Sequence, residues 1–160
     1  MNTESRAAYL IRHLHMHPHP EGGYYAEHYR SQLLVERKNE VPRSAVTSIY
    51  YLLQQNEVSR WHVVDADEIW HWHEGDELEL WLVNPEISQL RVIRLGQPGA
   101  DTQPSAVVPA GWFQAVRSSG SYSLCGCTVA PAFQFSGFRF TSAQEAEKLS
   151  LLHPEATLFC

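Results

Sequence analysis

Residues 59–75 read SRWHVVDADEIWHWHEG and decide how this chain is expected to fold. Short runs rich in Val, Ile and Trp lie on either side of Asp65–Asp67, which predicts two strands joined by a turn. Successive side chains of a strand point to opposite faces, so Arg60 and His62 are predicted to share one face, with Trp61 on the other. The first strand would therefore carry a cation and an imidazole side by side.

The second predicted strand carries a carboxylate and two large aromatic side chains on one face. Glu68, Trp70 and Trp72 alternate along it, whereas His71 and His73 are predicted to face the opposite side. We interpret these two histidines as residues of the outer sheet surface, at a contact between two copies of the chain.

Together the two strands predict a polar cluster inside a narrow barrel. Burying Arg60, His62 and Glu68 is costly unless they pair with each other, a metal or a ligand. The cluster is therefore a candidate site. In the alternative interpretation, Arg60 and Glu68 form an ion pair at the barrel rim, and His62 is a core histidine with satisfied hydrogen bonds.

The rest of the chain reads mainly as strands separated by turn residues. About ten short strands with no helix between them predict an all-β barrel or sandwich, formed by residues 1–160 as one domain. A helix is predicted over residues 3–16, capped by Thr3 or Ser5. Another is predicted over Ser142–Leu152, where Ser142 and Glu145 have capping-box spacing and Leu149 and Leu152 are expected to dock on the barrel. The predicted strands are Tyr24–Arg30, Val46–Leu53, Ser59–Val64, Glu68–His73, Leu78–Val83, Leu90–Leu95, Ala106–Val108, Gln114–Arg117, Tyr122–Val129 and Gly137–Phe140.

Composition narrows the range of partners. The formal charge of −6 and the isoelectric point near 5.8 argue against nucleic-acid binding. No membrane span and no secretory leader are expected, because no long apolar run is present. Cys125 and Cys127 are predicted to be buried thiols on one strand face, and a reducing cytoplasm is the expected compartment.

Two motifs resemble those of the cupin superfamily. His62, Glu68 and Gly75 have the spacing of the first cupin motif, and Pro109–Gln114 resembles the second. The chain is more closely similar to the Cupin_5 (DUF985) family, which implies a jelly-roll barrel, the double-stranded β-helix, and commonly a homodimer. Ala132 stands where that family usually has glycine. The stretches that carry this resemblance are His19–Tyr25, Ser48–Leu53, Ser59–His62, Asp67–His71, Val108–Trp112 and Thr128–Phe133.

The resemblance also bears on metal binding. Similar metal-binding cupins supply three histidines and a glutamate, but here Arg60 and Gln114 take the first and last histidine positions. Arginine cannot ligate a metal, and the glutamine amide is a weak ligand. No cofactor is therefore expected, and a divalent metal is disfavoured. If one were present, its ligands would be His62, Glu68 and Gln114.

Another branch of the superfamily suggests catalytic roles. The dTDP-4-dehydrorhamnose 3,5-epimerases resemble this chain and use a histidine base and a tyrosine acid without metal. The resemblance implies His62 as base, Glu68 as its orienting acid, and Tyr50 or Tyr24 as the proton donor. The expected ligand is small and anionic, sugar-like or nucleotide-like. The expected ligand-binding residues are Arg60, Trp70, Trp72, Trp112, Gln114, Glu21 and Tyr24.

Two alternatives to a metal-independent epimerase or isomerase remain open at this stage. One is a non-enzymatic binding module with tryptophan walls and Arg60 as anchor. The other is a weak-metal isomerase or oxygenase. The alternating histidines His13, His15, His17 and His19 are interpreted as surface or structural residues, because their predicted helix and proline loop do not place them on one face.

Overall fold

A computed structural model describes residues 4–38 and 40–160. All ten predicted strands are present, with bounds that differ from the prediction by at most two residues. Three further strands of two residues each were not predicted. In chain order the strands are β1 (His17–Pro18), β2 (Tyr24–Arg30), β3 (Leu34–Val35), β4 (Arg43–Ser44), β5 (Thr47–Gln54), β6 (Val58–Val64), β7 (Asp67–Gly75), β8 (Leu78–Val83), β9 (Leu90–Leu95), β10 (Ser105–Val108), β11 (Phe113–Ser118), β12 (Tyr122–Ala130) and β13 (Phe138–Phe140).

Two antiparallel sheets make up the barrel. The six-stranded sheet has the order β1-β2-β5-β12-β7-β10, and the five-stranded sheet has the order β13-β6-β11-β8-β9. Most neighbours are distant in the chain, as in a jelly roll, and β3 and β4 form a separate small hairpin. The predicted all-β jelly-roll class is therefore correct. The main core lies between the sheets and includes Tyr51, Leu53, Trp70, Leu80, Cys125 and Cys127.

The N-terminal helix α1 (Arg6–His13) is shorter than predicted. Ser5 is its cap, since the Ser5 hydroxyl accepts a hydrogen bond from the Ala8 amide at 3.2 Å. Thr3, the other candidate cap, lies outside the described residues. The helical run ends early because the backbone of His15 is left-handed, with φ of 53°.

The C-terminal helix α2 (Ala143–Leu152) begins with the predicted capping box. The Ser142 hydroxyl accepts from the Glu145 amide at 3.2 Å, and the Glu145 carboxylate accepts from the Ser142 amide at 2.8 Å. Leu149 is fully buried in a cluster with Trp61, so it docks on the barrel as predicted. The same prediction for Leu152 is wrong, because its side chain faces solvent.

A β-bulge in β6 determines which side chains enter the barrel. Pairing with β11 places His62 opposite Gln114, but the register then shifts before Ser59. Arg60 and Trp61 therefore occupy the space of one residue, and strict alternation fails. Ser59 and His62 are both buried, whereas Arg60 is exposed.

Within the described parts of the chain, none of the helices has the length and apolar character needed to cross a membrane.

Candidate functional site

The barrel holds a cavity of about 390 Å³ between its two sheets. Strands β2, β5, β7 and β12 line it from one sheet, β6 and β13 line it from the other, and the loop after β12 covers one side. Its lining residues are His19, Glu21, Tyr25, Glu27, Arg30, Thr47, Ile49, His62, Val64, Glu68, Cys127, Val129, Phe133, Gln134, Phe135 and Phe138.

Glu21 reaches the cavity because two glycines turn the chain directly after it. Gly22 and Gly23 both have positive φ, at 117° and 69°, where side chains are strained. A Cβ atom on Gly22 would also collide with the carbonyl of Val58. This close approach lets the Glu21 carbonyl accept a hydrogen bond from the Arg60 amide at 3.0 Å, which fixes Glu21 against β6.

His62 makes a hydrogen bond through each ring nitrogen. Its Nδ1 lies 2.7 Å from the carbonyl oxygen of Arg60. Its Nε2 lies 3.1 Å from Oε2 of Glu21, and both side chains are buried, at 2% and 7% exposed. A backbone carbonyl only accepts, so Nδ1 must carry a proton. In the neutral ring Nε2 then carries no proton, and its lone pair faces Oε2 of Glu21.

A single proton is therefore needed between His62 and Glu21. Burial raises the pKa of the Glu21 carboxyl and lowers the pKa of the His62 imidazole. Both shifts favour the uncharged forms. Burial thus favours the pair in which Glu21 holds the proton and donates it to Nε2 of His62.

His19 lies beside this pair and was expected to be a surface or structural residue. Its Nδ1 accepts a hydrogen bond from the Glu21 amide at 3.2 Å, so the proton of the neutral ring is on Nε2. Burial lowers the pKa of His19, and the nearby Glu21 carboxyl partly opposes this shift. His19 is thus an uncharged lining residue of the cavity.

Glu68 is held by a buried chain of hydrogen bonds across the barrel. Trp70 Nε1 donates to Gln114 Oε1 at 2.9 Å, and Gln114 Nε2 donates to Glu68 Oε2 at 2.6 Å. The Trp70 indole fixes the orientation of the Gln114 amide, because Oε1 is the only atom of that amide that can accept a hydrogen bond. Burial raises the pKa of Glu68 to about 7, while His62 and Gln114 partly oppose the shift. This carboxyl can therefore hold or release a proton near neutral pH.

The opposite wall and the rim are aromatic and ionic. Phe138 packs against His62 with ring centroids 5.3 Å apart, and Tyr25 meets His19 edge to face at 4.7 Å. At the rim Arg30 binds Glu27 through two hydrogen bonds, of 2.9 Å and 2.8 Å. The cavity thus combines an acid–base side with an apolar side, as small-molecule sites commonly do.

The structure brings together some of the predicted site residues. Glu21, His62 and Glu68 line the cavity, and Gln114 supports Glu68 from behind. The prediction that Arg60 shares a face with His62 is wrong, because the β6 bulge turns Arg60 outward. Its guanidinium lies 4.3 Å above the Phe140 ring and donates to the Pro20 carbonyl at 3.0 Å.

The predicted aromatic and tyrosine residues take other positions. Tyr24 and Tyr50 face the outer side of the six-stranded sheet, where both pack in the cluster beneath α1. The role of either tyrosine as proton donor in the cavity is therefore contradicted by the geometry, since strand alternation instead turns Tyr25 inward.

Of the three tryptophans expected as cavity walls, Trp70 is a core residue, whereas Trp72 and Trp112 are partly buried and pack against the core. Trp70 is 1% exposed. Trp72 donates to the Asp76 carbonyl at 3.1 Å, and Trp112 lies beneath the Arg91 guanidinium. Among the described residues none of these indoles lines the cavity. The inward face of β7 was predicted correctly, but it is filled by core packing beyond Glu68.

The donor groups present do not fit the metal that the fold family can carry. Both ring nitrogens of His62 are hydrogen-bonded within the protein. The side-chain oxygen of Gln114 accepts a hydrogen bond from Trp70, and its N–H donates to Glu68. A metal needs lone pairs that point at it. Within residues 4–38 and 40–160, no three His, Cys, Asp or Glu side chains are arranged to hold an ion.

Fold and cavity define a small jelly-roll barrel with a buried acid–base pocket. The sequence model of Cupin_5, described as Cupin superfamily (DUF985), matches residues 8–141, and the chain belongs to this family.

Solved structures agree with this assignment. A protein from Shewanella oneidensis is 33% identical, with 95% of this chain and 92% of that chain covered and a TM-score of 0.82. A hypothetical protein from Leishmania major is 27% identical, with 97% of both chains covered and a TM-score of 0.82. A cupin 2 conserved barrel domain protein from Rhodopseudomonas palustris shares the fold at 9% identity, with 90% and 86% covered and a TM-score of 0.58. The search of curated proteins found no match.

Proposed function

We propose that the cavity catalyses proton transfer on a small carbonyl compound without a metal, as an isomerase or epimerase. The observation that carries the proposal is the contact of His62 Nε2 with Glu21 Oε2 at 3.1 Å, beside a second carboxyl, Glu68, whose pKa is raised to about 7. Two groups that hold and release protons near neutrality, on one side of one cavity, suit general acid–base catalysis.

The proposed step conserves charge. Glu21 takes a proton from the carbon next to the carbonyl on one oxygen, and passes its own proton from Oε2 to Nε2 of His62. The electron pair of the broken C–H bond forms a C=C bond, and the carbonyl oxygen takes the proton of Glu68. The products are an enol, an imidazolium and a carboxylate, so the cavity gains no net charge.

The two new charges would stabilise each other. His62 and Glu68 are close enough that each shifts the pKa of the other towards its charged form. Reversal of the same steps at the neighbouring carbon gives an isomer, and reversal on the opposite face of the same carbon gives an epimer. The catalytic residues are then Glu21 and Glu68, with His62 as the proton store behind Glu21.

The size of the cavity supports a compact ligand. Its volume of about 390 Å³ lies at the small end of the usual range for small-molecule pockets, roughly 300–1,000 Å³. A monosaccharide-sized molecule suits this space, whereas the nucleotide part of a nucleotide-linked sugar would have to lie outside it.

Deuterium exchange tests the proposal without knowledge of the product. The untagged protein is incubated in D₂O with excess chelator and a panel of ketoses and aldoses, and deuterium at the carbon next to the carbonyl is followed by proton NMR. We expect exchange that survives the chelator and falls about a hundredfold or more in Glu68→Gln.

Glu74→Gln is the matched control, because Glu74 is on the same strand but binds Arg6 at the surface, at 2.9 Å. It should exchange at the wild-type rate. An equal rate in Glu68→Gln would contradict the proposal.

A non-enzymatic binding module is the second candidate. It is favoured by the burial of His62, which is 2% exposed and has both ring nitrogens already hydrogen-bonded within the protein. A binding module would show ligand-induced thermal stabilisation with no deuterium incorporation for the same compound.

A further inference from the structure

Acidic side chains outnumber basic ones in the lining of the cavity. Among the lining residues that the structure describes, three carboxyl groups, Glu21, Glu27 and Glu68, are balanced by one guanidinium, Arg30. With Glu21 and Glu68 protonated the lining is neutral, and with either ionised it is negative, because burial keeps both imidazoles uncharged.

The guanidinium of Arg30 is already paired with other groups. Arg30 binds both oxygens of Glu27, and its two terminal nitrogens lie 3.5 Å and 3.4 Å from the Phe133 carbonyl. Arg60, which could have met an anion, lies outside the cavity. A phosphate or carboxylate that entered would face carboxyl oxygens, and the charge of the Arg30 guanidinium is already balanced by Glu27. The anion would lose hydration with little compensation.

We propose that this cavity selects uncharged, hydroxyl-bearing ligands with an apolar face and rejects phosphorylated and other anionic ones, with Glu27 as the charge-selecting residue at the rim. The inference rests on the proposed function in taking this cavity as the ligand site.

The two sides of the cavity suit such a ligand. Glu21 and Glu68 offer oxygens that accept hydrogen bonds from hydroxyl groups. Tyr25, Phe133 and Phe138 offer apolar surface to C–H groups.

Cys127 provides a reporter inside the cavity. It is a free thiol, 2% exposed, and lines the cavity beside Glu68, whereas Cys160 is free and exposed at the end of the chain. A variant that keeps only Cys127 is made by Cys125→Ala with Cys160→Ser, and one that keeps only Cys160 by Cys125→Ala with Cys127→Ala. Circular dichroism and thermal melting verify that each folds.

Each thiol is labelled with two methanethiosulfonate reagents of similar size, the uncharged 2-hydroxyethyl and the anionic 2-sulfonatoethyl compound. We expect the ratio of uncharged to anionic labelling rate at Cys127 to exceed that at Cys160 by about tenfold. Adding Glu27→Gln should reduce this excess, whereas Glu74→Gln should leave it unchanged.

Equal ratios at the two thiols, an inverted ratio, or a Cys127 that neither reagent reaches would overturn the proposal. The labelling ratio does not depend on turnover. A failure of deuterium exchange would therefore refute the proposed function and leave the charge selectivity of the cavity unaffected. Equal labelling ratios would refute the charge selectivity and leave the proposed function unaffected.

Discussion

Nε2 of His62 lies 3.1 Å from Oε2 of Glu21, while Nδ1 of the same ring lies 2.7 Å from a backbone carbonyl. This arrangement allows one proton between the two side chains and makes them a single buried unit. Glu68, at the same cavity, is a second proton site, and Gln114 and Trp70 hold it in place.

Glu68 should make stability depend on pH. Its folded pKa is about 7 against an ordinary value of 4.5, so the neutral carboxyl favours the fold below 4.5 and this contribution is lost as the pH rises through 7. The shift corresponds to about 3 kcal/mol. Urea unfolding at about pH 5 and about pH 8 should show wild type losing roughly this much relative to Glu68→Gln.

The comparison with Glu68→Gln is needed because other groups titrate nearby. His62 and Glu21 lie beside Glu68, and the Cys127 thiol also contacts it. Burial shifts the His62 pKa downwards, so its contribution to stability falls as the pH falls. Equal pH dependence in wild type and Glu68→Gln would show that Glu68 is ionised in the folded protein.

Gln114 should be coupled energetically to Trp70. Gln114→Met removes the acceptor of a buried indole N–H and should cost about 1–3 kcal/mol of unfolding free energy. In a Trp70→Phe background the same change should cost clearly less, because no donor is left unpaired. Additive costs in this double-mutant cycle would refute the hydrogen-bond chain.

Arg60 should matter little to the cavity. Arg60→Ala removes an exposed cation–π contact and one bond to the Pro20 carbonyl, so the unfolding free energy should fall by less than about 1 kcal/mol. Deuterium exchange and Cys127 labelling should stay at wild-type rates. A tenfold fall in the exchange rate or in the labelling rate would show that Arg60 acts at the cavity.

Two substitutions of Glu21 should separate its role in catalysis from its contribution to stability. Glu21→Gln keeps an N–H donor for Nε2 of His62 but cannot pass a proton, so exchange should fall about a hundredfold with little change in melting temperature. Glu21→Ala leaves the buried Nε2 unpaired and should also destabilise the fold by about 1–3 kcal/mol. Similar melting temperatures for the two variants would argue against the contact.

Sequence periodicity predicted the barrel well because alternation and turn residues are local signals. Glu68 was placed inward correctly by alternation, since β7 near Glu68 follows regular pairing. Gln114 was assigned from the resemblance to the second cupin motif, and it lies on β11 opposite His62. Arg60 was placed wrongly, because a bulge depends on how β6 pairs with β11 and leaves no mark in the spacing. The arginine that lines the cavity, Arg30, was not singled out.

The cavity residues that the sequence did not identify were missed for one common reason. His19 precedes a glycine turn, and hydrophobic periodicity does not indicate the direction in which such a turn sends the chain. Its place in the His19–Tyr25 motif was nevertheless a signal that it belongs to the site. Phe133 and Phe135 lie in a loop with no regular spacing and meet in space at 5.1 Å between ring centroids. Only tertiary packing brings such residues to the cavity.

The most direct measurement of the central claim is nitrogen-15 NMR of the His62 ring, assigned by comparison with His62→Asn. We predict a neutral ring with the proton on Nδ1 and an unprotonated, hydrogen-bonded Nε2, unchanged between about pH 6 and about pH 8. In Glu21→Gln the Nε2 signal should shift while the ring stays neutral. Both ring nitrogens protonated at neutral pH in the wild type would contradict the account.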